Sequence, residues 1–321
     1  MSPDTVRIGL ADIDPADLTY RISTHRDDRL DHSIRHIGQI HPIQVLARDG
    51  ALVILSGFRR VAACRAVGLA HVSALVHPDG SLDPRQRCVI AIADNATQRP
   101  LNPLETARSV ALLHRQLSDP EDIRDCLSAL SLPRNPAWLQ QQLALSRLTD
   151  ALQQHLLTGV MGTAMALELG ALDPADGTAL AGLFASLRLS LSRQREVLGL
   201  CRDLARRDGV AIRQVLAASG LQALLADPEA DNGIKTRKLR NYLKHRRYPS
   251  LTAAEARFDQ GLKSLALGPD VRLDPPPFFE GTTYRLSLSF STVEELRRQL
   301  DAIRGKTATP QFHRLMARTR D

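Results

Sequence analysis

The turn at residues 56–60, Ser-Gly-Phe-Arg-Arg, combines residue types that bind phosphate groups. It follows an apolar, strand-like run at residues 51–55 and opens a helical pattern that begins near Arg59. A glycine lets the backbone approach a ligand closely, and the amides at the start of a helix attract anions. Arg59 and Arg60 add guanidinium groups that bind phosphate oxygens in a forked geometry. The turn predicts a phosphate-binding site. The alternative is an ordinary surface turn whose two arginines are solvated.

A second candidate is the run at residues 94–107, DNATQRPLNPLETA. An acid beside an amide at a helix end can hold Mg²⁺ next to a triphosphate, because this ion prefers oxygen ligands and shares them with substrate phosphates. Asp94 and Asn95 are therefore candidate metal ligands. The alternative is a polar connection between two helices, with Asn102 capping the second helix and Pro103 at its first position.

Other metal and redox patterns are absent from the sequence. The four cysteines (Cys64, Cys88, Cys126 and Cys201) form no C-x-x-C pair, which argues against a zinc site and a disulfide framework and favours a reducing cytoplasm. His32 and His36 are four residues apart but lack a third ligand, so a surface position is expected. The first ten residues, MSPDTVRIGL, contain no apolar stretch of a secretion signal, and no apolar run approaches the ~18 residues of a membrane span.

The charge balance favours a polyanionic partner. The chain has 42 lysines and arginines against 35 acids, a net charge of +7. Residues 234–249 contain seven lysines and arginines and no acid, which indicates a basic hinge or a basic helix. Four of them are predicted to contact nucleic acid irrespective of its sequence: Lys235, Arg237, Lys238 and Arg240. A solvated linker is the alternative for this segment.

The order of secondary-structure patterns indicates an α+β protein. Short strand and helix patterns alternate over the first 80 residues, helices follow, and a strand and a helix end the chain. We expect a small mixed α/β domain at residues 1–93 and a helical domain at 94–232. A basic linker at 233–250 and a strand-helix module at 251–321 follow.

Four stretches resemble, in order and spacing, the ParB family of chromosome and plasmid partition proteins. Residues 14–23, DPADLTYRIS, are similar to the family's N-P-x-x-P-R segment with Arg21 retained. Residues 33–45, SIRHIGQIHPIQV, are similar to S-I-x-x-x-G-x-x-x-P-I-x-V. Residues 57–60, GFRR, correspond to the phosphate turn G-E-R-R, and residues 94–107 to E-N-x-Q-R-x-x-L-N-P-x-E-x-A. The resemblance implies a ParB/sulfiredoxin-type N-terminal domain.

The resemblance also implies a nucleotide switch, because ParB proteins bind CTP with Mg²⁺ and close as a clamp around DNA. The residues that match the family's nucleotide-binding positions are Arg21, Gly57, Arg59, Arg60, Asn95, Gln98 and Arg99. Asp94 and Asn95 match the metal position, with Asp94 in place of a glutamate. Phe58 stands where the family has a glutamate tied to hydrolysis, and an uncharged ring cannot position water. We therefore expect at most a weak CTPase.

In the family, a helix-turn-helix follows the nucleotide domain. Residues 121–130 match its first helix, and a second helix begins at Asn135-Pro136. Gln140, Gln141 and Gln142 are candidates to read adenine edges, and Arg134 and Arg147 to contact phosphates. The alternative is a structural helix pair in which Trp138 and its apolar neighbours pack a bundle.

The tail is loosely similar to the family's strand-strand-helix dimerisation module. Residues 283–291 alternate as in a strand, Ser291 and Glu294 suggest a capping box, and an apolar stripe runs from Val293 to Ile303. Together these features predict a cytoplasmic, nucleoid-associated homodimer that binds double-stranded DNA, with a ParA-like ATPase as a further partner. Two alternatives remain: a DNA-binding adaptor with a decayed nucleotide pocket, and a phosphotransferase of the same fold acting on a small molecule.

A redox enzyme of the same fold is not expected. Sulfiredoxin is similar in this turn but has a nucleophilic cysteine at the position of Phe58. Cys64 lies further along the helix on an apolar stripe, and a buried thiol is usually inert.

Overall fold

The structure is a computed structural model, in which residues 5–24, 28–97, 99–279 and 281–317 are described. The chain forms two compact units, Met1–Leu191 and Ser192–Asp321. In the described part of the chain, no helix is long and apolar enough to span a membrane.

A four-stranded mixed sheet forms the start of the first unit. Its strands are β1 (Thr5–Gly9), β2 (Ile43–Arg48), β3 (Ala51–Ser56) and β4 (His71–His77), in the order β1-β4-β2-β3. Strand β2 runs parallel to β4 and antiparallel to β3. Asp49 and Gly50 join β2 to β3 with φ of 53° and 80°, the left-handed pair that a tight hairpin turn needs. The strand-like run at 51–55 thus pairs with β2 in one hairpin.

Helices cover both faces of this sheet. Helices α1 (Asp28–Ile37) and α2 (Phe58–Ala66) pack on one face around Ile43, Val61 and Cys64. On the other face, α3 (Pro84–Ala96), α4 (Pro103–Gln116) and α5 (Pro120–Ala129) enclose a second apolar core. Packing in the two apolar cores therefore fixes the positions of the start of α2 and the end of α3.

The second core extends across the predicted boundary at residue 93. Leu46 and Leu55 of the sheet and Ile92, Leu113 and Leu127 of the helices belong to one continuous cluster. Apolar packing therefore continues past residue 93, which lies inside α3. The change from mixed α/β to helical patterns in the sequence marks a change of secondary structure and not the end of a core.

Helices α3 and α4 each begin at a capping side chain, and the cap of α4 is the one predicted at Asn102. The Asp83 carboxylate accepts a hydrogen bond from the backbone N–H of Gln86 at 2.7 Å. The Asn102 side chain accepts hydrogen bonds from the backbone N–H groups of Leu104 and Glu105 at 3.0 and 2.9 Å. A proline follows each cap at the first helical position. These local bonds fix where both helices begin.

The first unit ends with four more helices: α6 (Pro136–Ser146), α7 (Asp150–Leu157), α8 (Thr163–Gly170) and α9 (Pro174–Leu187). The second unit contains α10 (Leu191–Asp208, whose first residue belongs to the first unit), α11 (Ile212–Leu216), α12 (Ser219–Ala226), α13 (Asn232–Arg247), α14 (Pro249–Leu265), β5 (Val271–Asp274), β6 (Arg285–Leu288), α15 (Val293–Thr307) and α16 (Pro310–Ala317). Short 3₁₀ turns lie at Leu10–Asp12 and Pro277–Phe279. The predicted α+β fold class, with a mixed N-terminal domain, many helices and a strand-helix tail, is confirmed.

The basic segment at 233–250, for which the sequence left a hinge or a helix open, is mostly helix α13. Leu239 and Leu243 on this helix are fully buried. Most of its basic side chains are paired with acids of α10 and of the preceding turn, in the pairs Lys238–Asp227, Arg240–Glu196, Lys244–Glu196, Arg246–Asp208 and Arg247–Asp203. The carboxylates that neutralise α13 belong to other elements, and for this reason the segment itself contains no acid.

The C-terminal strand and helix differ from their predicted limits. Strand β6 covers only residues 285–288 of the predicted 283–291 and pairs antiparallel with β5. The capping box of α15 lies one residue later than expected, with Thr292 as cap and Glu295 as its partner. Val293 and Leu300 of the apolar stripe are 56% and 49% exposed.

Replacing Gly57 with alanine is expected to destabilise the first unit by about 2–4 kcal/mol. A Cβ atom at this position would lie 2.6 Å from Ile43 Cγ2, and the backbone φ of +102° disfavours a side chain. Gly50→Ala is the matched control, because Gly50 has φ +80° but open space around it, so only backbone strain is added. Urea unfolding followed by the fluorescence of Trp138, the single tryptophan, measures both variants. Equal losses in the two variants would show that the contact with Ile43 contributes nothing.

Candidate functional site

The two candidate segments meet at one cavity of about 190 Å³ in the first unit. We call it the turn cavity. The residues named from the sequence that line it are Gly57, Phe58, Arg59, Arg60, Asp94, Asn95 and Arg99. The turn places its residues through the end of β3 and the start of α2, and the acid-amide pair lies in the last turn of α3. Segments more than 30 residues apart in sequence therefore face the same space.

Gly57 makes the sharp transition from strand to helix. It is the N-cap of α2, and its carbonyl accepts the first helical hydrogen bond from Val61 at 3.0 Å. No acidic residue lies in the first turn of α2. No side chain of α2 itself therefore neutralises the positive end of its dipole, which favours an anion in the turn cavity.

Arg60 connects the two segments through an ion pair. Its guanidinium donates a hydrogen bond to Asp94 Oδ2 at 2.6 Å and others to the backbone carbonyls of His41 and Pro42. The Ser56 hydroxyl donates to the same carboxylate oxygen of Asp94. The candidate phosphate ligand and the candidate metal ligand thus neutralise each other.

Asn95 and Arg99 differ in what they offer to a ligand. The Asn95 side-chain nitrogen donates to the carbonyl of Ala91 at 2.9 Å, so the amide oxygen is the atom that a cation would use. Arg99 forms two parallel hydrogen bonds of 2.7 Å with the Glu105 carboxylate. Arg99 therefore supports the start of α4 as well as lining the turn cavity.

The Glu105 carboxylate is 1% exposed. Burial acts to raise its pKa, but hydrogen bonds from Arg99 and from the backbone of Asn102 outweigh burial and hold the pKa below its ordinary value. Glu105 is therefore the charged partner that fixes Arg99 at the edge of the turn cavity.

Phe58 and Arg59 separate the turn cavity from a second cavity of about 180 Å³. Arg21 lines this second cavity and does not line the turn cavity. Each cavity alone is smaller than the roughly 300 Å³ of the smallest common ligand sites. The two cavities together reach that size, so a nucleotide would need both.

The donors in the turn cavity fit a magnesium-bound phosphate better than a metal held by protein alone. Among the described residues, no group of three or more His, Cys, Asp or Glu side chains is arranged to hold a metal ion. Asp94 and Asn95 supply two oxygen-bearing side chains, and Mg²⁺ commonly takes its other ligands from phosphate and water. Gln98, predicted to bind the nucleotide, lies outside the described residues.

Sequence analysis missed several contributors to the turn cavity. Ser23 and Leu30 line it, and the Ser56 hydroxyl fixes Asp94. The position of Ser56 at the end of β3, directly before the cap, was a usable signal. His41 also lines the turn cavity.

The predicted DNA-contacting residues of the first unit lie on and next to helices α5 and α6. Gln140, Gln141, Arg134 and Arg147 are exposed. Gln142, also considered as a base-reading residue, is only 6% exposed and belongs to the packed side of α6, which corrects that expectation. Trp138 packs against the second core, as the alternative of a structural helix pair requires.

The four basic candidates of the second unit divide into two classes. Lys238 and Arg240 are held in ion pairs of 2.8 and 2.7 Å with Asp227 and Glu196. Arg237 is exposed on α13, and Lys235 is half-buried near Asp227, whose pKa is lowered mainly by its hydrogen bond from Lys238. Lys238 and Arg240 thus have a structural role that the sequence did not indicate.

Comparison with known proteins gives consistent similarities. The ParB N-terminal domain family matches residues 4–96. A probable chromosome-partitioning protein ParB of Campylobacter jejuni is 26% identical over 149 residues, covering 46% of this chain and 51% of that protein. A probable ParB of Treponema pallidum is 29% identical over 130 residues, covering 40% of this chain and 38% of that protein. The chain therefore spans about half or less of these relatives.

Solved structures give weaker likenesses. A C-terminally truncated ParB from Caulobacter crescentus, complexed with CTP-γ-S, is 25% identical with a TM-score of 0.27, covering 57% of this chain and 99% of that one. The same type of protein complexed to the centromeric parS site is 23% identical with a TM-score of 0.32, covering 59% and 96%.

Proposed function

From the premise that this chain is ParB-like, with a ParB N-terminal domain at residues 4–96, we propose that it is a DNA-binding protein of chromosome or plasmid partition, or of nucleoid or gene regulation. We further propose that CTP with Mg²⁺ is its conformational ligand. The observation that carries this proposal is the meeting of the turn at Gly57 and the pair Asp94-Asn95 at one cavity.

Each candidate ligand residue has a role in this proposal. The start of α2 and the guanidinium groups of Arg59 and Arg60 bind the phosphates. Asp94 and Asn95 hold Mg²⁺, which supplies positive charge to the phosphate oxygens when bound. Arg21 contacts the part of the nucleotide in the second cavity, and Arg99 keeps α4 in place through Glu105. Gln98 is proposed as a further nucleotide ligand.

Hydrolysis is proposed to be weak at most. Phe58 lines both cavities and packs against both apolar cores of the first unit, so its ring is part of the wall. A phenyl ring neither accepts a proton nor orients a water molecule. The nucleotide would then act by binding and release.

DNA contact is proposed at two places. Helices α5 and α6 present Arg134, Gln140 and Gln141 at the surface, as a helix-turn-helix reader would. On α13, exposed Arg237 with neighbouring Lys235 provides a contact that does not depend on sequence. Lys238 and Arg240 contribute less, because their charges are already paired.

Self-association and location complete the proposal. The exposed apolar stripe of α15 suits a second copy of the chain, giving a homodimer that encloses DNA as a clamp. A nucleoid-associated, cytoplasmic protein with a ParA-like ATPase as partner follows from this assignment.

The second candidate function is a DNA-binding adaptor with a decayed nucleotide pocket. It is favoured by the ion pair between Arg60 and Asp94, which satisfies both groups without a ligand, and by the small size of each cavity. A phosphotransferase of the same fold is disfavoured by Phe58 at the centre of the site.

The deciding experiment is calorimetric titration of the full chain with CTP, with and without Mg²⁺, and with ATP as control. We expect micromolar binding of CTP that requires Mg²⁺, and duplex binding that weakens steeply between 50 and 200 mM salt, because phosphate contacts release counterions. Duplex binding without any CTP heat would identify the adaptor. Absence of duplex binding at low salt would contradict DNA binding itself.

A further inference from the structure

A second basic site lies in the first unit, away from the turn cavity. It is an open groove of about 790 Å³, which we call the basic groove. Four arginines line it: Arg21, Arg108, Arg115 and Arg147. They come from the segment before α1, from helix α4 and from the end of α6. Asp150, at the start of α7, is the one carboxylate among the described lining residues.

Arg108 is the fixed centre of the basic groove. It donates hydrogen bonds of 2.9 Å to the backbone carbonyl of Ser23 and to the side-chain oxygen of Gln153. These bonds hold the guanidinium between the segment before α1 and helix α7. Arg108 is therefore a positioning residue, because these two hydrogen bonds keep its charged group next to the other arginines of the groove.

The arginines are crowded. Burial lowers the pKa of Arg108 below its ordinary value, and the nearby positive charge of Arg21 lowers it further. The negative charges of Asp150 and Glu105 act in the opposite direction. Among the described residues that line the groove, however, Asp150 is the single carboxylate beside four arginines. An anion placed in the groove would relieve this repulsion.

The chemistry of the groove selects phosphate. Guanidinium groups bind phosphate oxygens with paired, charge-assisted hydrogen bonds, and several arginines converging on one space suit a doubly charged group. Arg115 and Arg147 are available for such contacts from the two sides: Arg147 is exposed, and Arg115 makes a hydrogen bond of 3.3 Å to the carbonyl of Thr19. His114 and Ser146 add further polar atoms.

We propose that the basic groove is a second phosphate-binding site, separate from the turn cavity. Its ligand is a phosphate group carried either by a DNA backbone or by a free polyphosphate. Arg115 and Arg147 contact the ligand, Arg108 positions the site, and Asp150 limits its affinity. Arg21 also lines the second cavity, so it stands between the basic groove and the proposed nucleotide site.

The first test uses inorganic pyrophosphate and the full chain in an Arg60→Ala background, which disables the turn cavity. Arg115→Ala/Arg147→Ala is expected to weaken pyrophosphate binding at least tenfold, as measured by calorimetry. Asp150→Asn is expected to strengthen it about threefold, because it removes the opposing carboxylate. Arg124→Ala is the matched control, since Arg124 is an exposed arginine that does not line the groove, and it should change nothing.

The second test separates the two sources of phosphate and is made with Arg60 intact. If DNA is the source, Arg115→Ala/Arg147→Ala lowers duplex affinity at least fivefold and reduces the salt slope by about 2. If duplex binding is unchanged while pyrophosphate binding falls, the source is a free polyphosphate. Unchanged binding of both probes overturns the proposal. Titration of the same variant with CTP and Mg²⁺ tests the turn cavity independently, so failure of one site does not imply failure of the other.

Discussion

Arg99→Gln is expected to lower the free energy of unfolding of the first unit by about 3–5 kcal/mol, the usual result of leaving a buried charge without its partner. The substitution removes both 2.7 Å hydrogen bonds to Glu105, whose carboxylate is 1% exposed. Backbone N–H donors remain at Asn102, at 3.1 Å, and at Thr24, but neither carries a charge that compensates the buried carboxylate. Because Trp138 packs against the core that α4 shares, its fluorescence during urea unfolding reports the loss.

The exposed pair Arg124–Glu121 provides the control for this prediction. Its two charges are also 2.7 Å apart, but both side chains are more than half exposed. Arg124→Gln should therefore cost less than about 1 kcal/mol. The double variant Arg99→Gln/Glu105→Gln should recover part of the loss, because it removes the buried charge. Equal effects of Arg99→Gln and Arg124→Gln would show that burial of Glu105 is unimportant.

Acid should reduce the difference between the wild type and Arg99→Gln. The folded-state pKa of Glu105 lies below its unfolded value, so its contribution to stability is complete above the unfolded pKa and is lost as the pH falls through the folded one. In Arg99→Gln, the hydrogen bonds from Arg99 that lower the pKa of Glu105 are lost, whereas burial still raises it. Protonation of Glu105 at acidic pH then removes the uncompensated buried charge and reduces the loss of stability in the variant. A gap in unfolding free energy that stays constant from pH 7 to pH 4 would contradict this account.

Local patterns predicted the elements that local bonds determine. The caps of α3 and α4 depend on Asp83 and Asn102 bonding to amides two or three residues ahead, which a sequence shows directly. The hairpin of β2 and β3 similarly depends on Asp49-Gly50. In the tail, by contrast, two overlapping capping patterns competed, and Thr292 rather than Ser291 became the cap.

Features that depend on distant partners were not predictable in this way. The basic character of α13 suggested a linker because Glu196 and Asp203 lie about 40 residues earlier in the chain. The predicted boundary at residue 93 likewise took no account of distant packing, since the core beneath α3 includes strands and helices from both sides of it. Local composition shows only residues that are close in the sequence, whereas packing brings together residues that are far apart in it.

The candidate site contains features that the sequence predicted and features that it did not. The resemblance to ParB predicted that the turn at Gly57 and the pair Asp94-Asn95 belong to one site, and the structure brings them to one cavity. It did not predict that Arg60 would pair with Asp94 or that Arg99 would pair with Glu105. Each pairing assigns a second, structural role to a residue expected to bind only the nucleotide.

The ion pair between Arg60 and Asp94 predicts that Asp94→Asn nearly abolishes the magnesium dependence of CTP binding. Without Mg²⁺, the wild-type carboxylate neutralises Arg60 and repels the triphosphate, so the variant should bind CTP about tenfold more tightly than the wild type. With Mg²⁺, the wild type should gain at least about thirtyfold and the variant less than about threefold, because the variant lacks the charged metal ligand. Calorimetry with and without EDTA measures all four affinities.

Two further variants distinguish this exchange of partners from a general charge effect. Asp125→Asn removes the same charge from an exposed pair with Arg85 and should leave the magnesium dependence unchanged. Arg60→Ala should weaken CTP binding about a hundredfold with or without Mg²⁺, because its forked contact with phosphate is lost. Asparagine at position 94 can still accept the hydrogen bond from Ser56, so the end of α3 should stay in place. If Asp94→Asn instead weakens magnesium-free binding, the carboxylate does not compete with the triphosphate, and the Arg60–Asp94 pair is a structural contact that a nucleotide would leave intact.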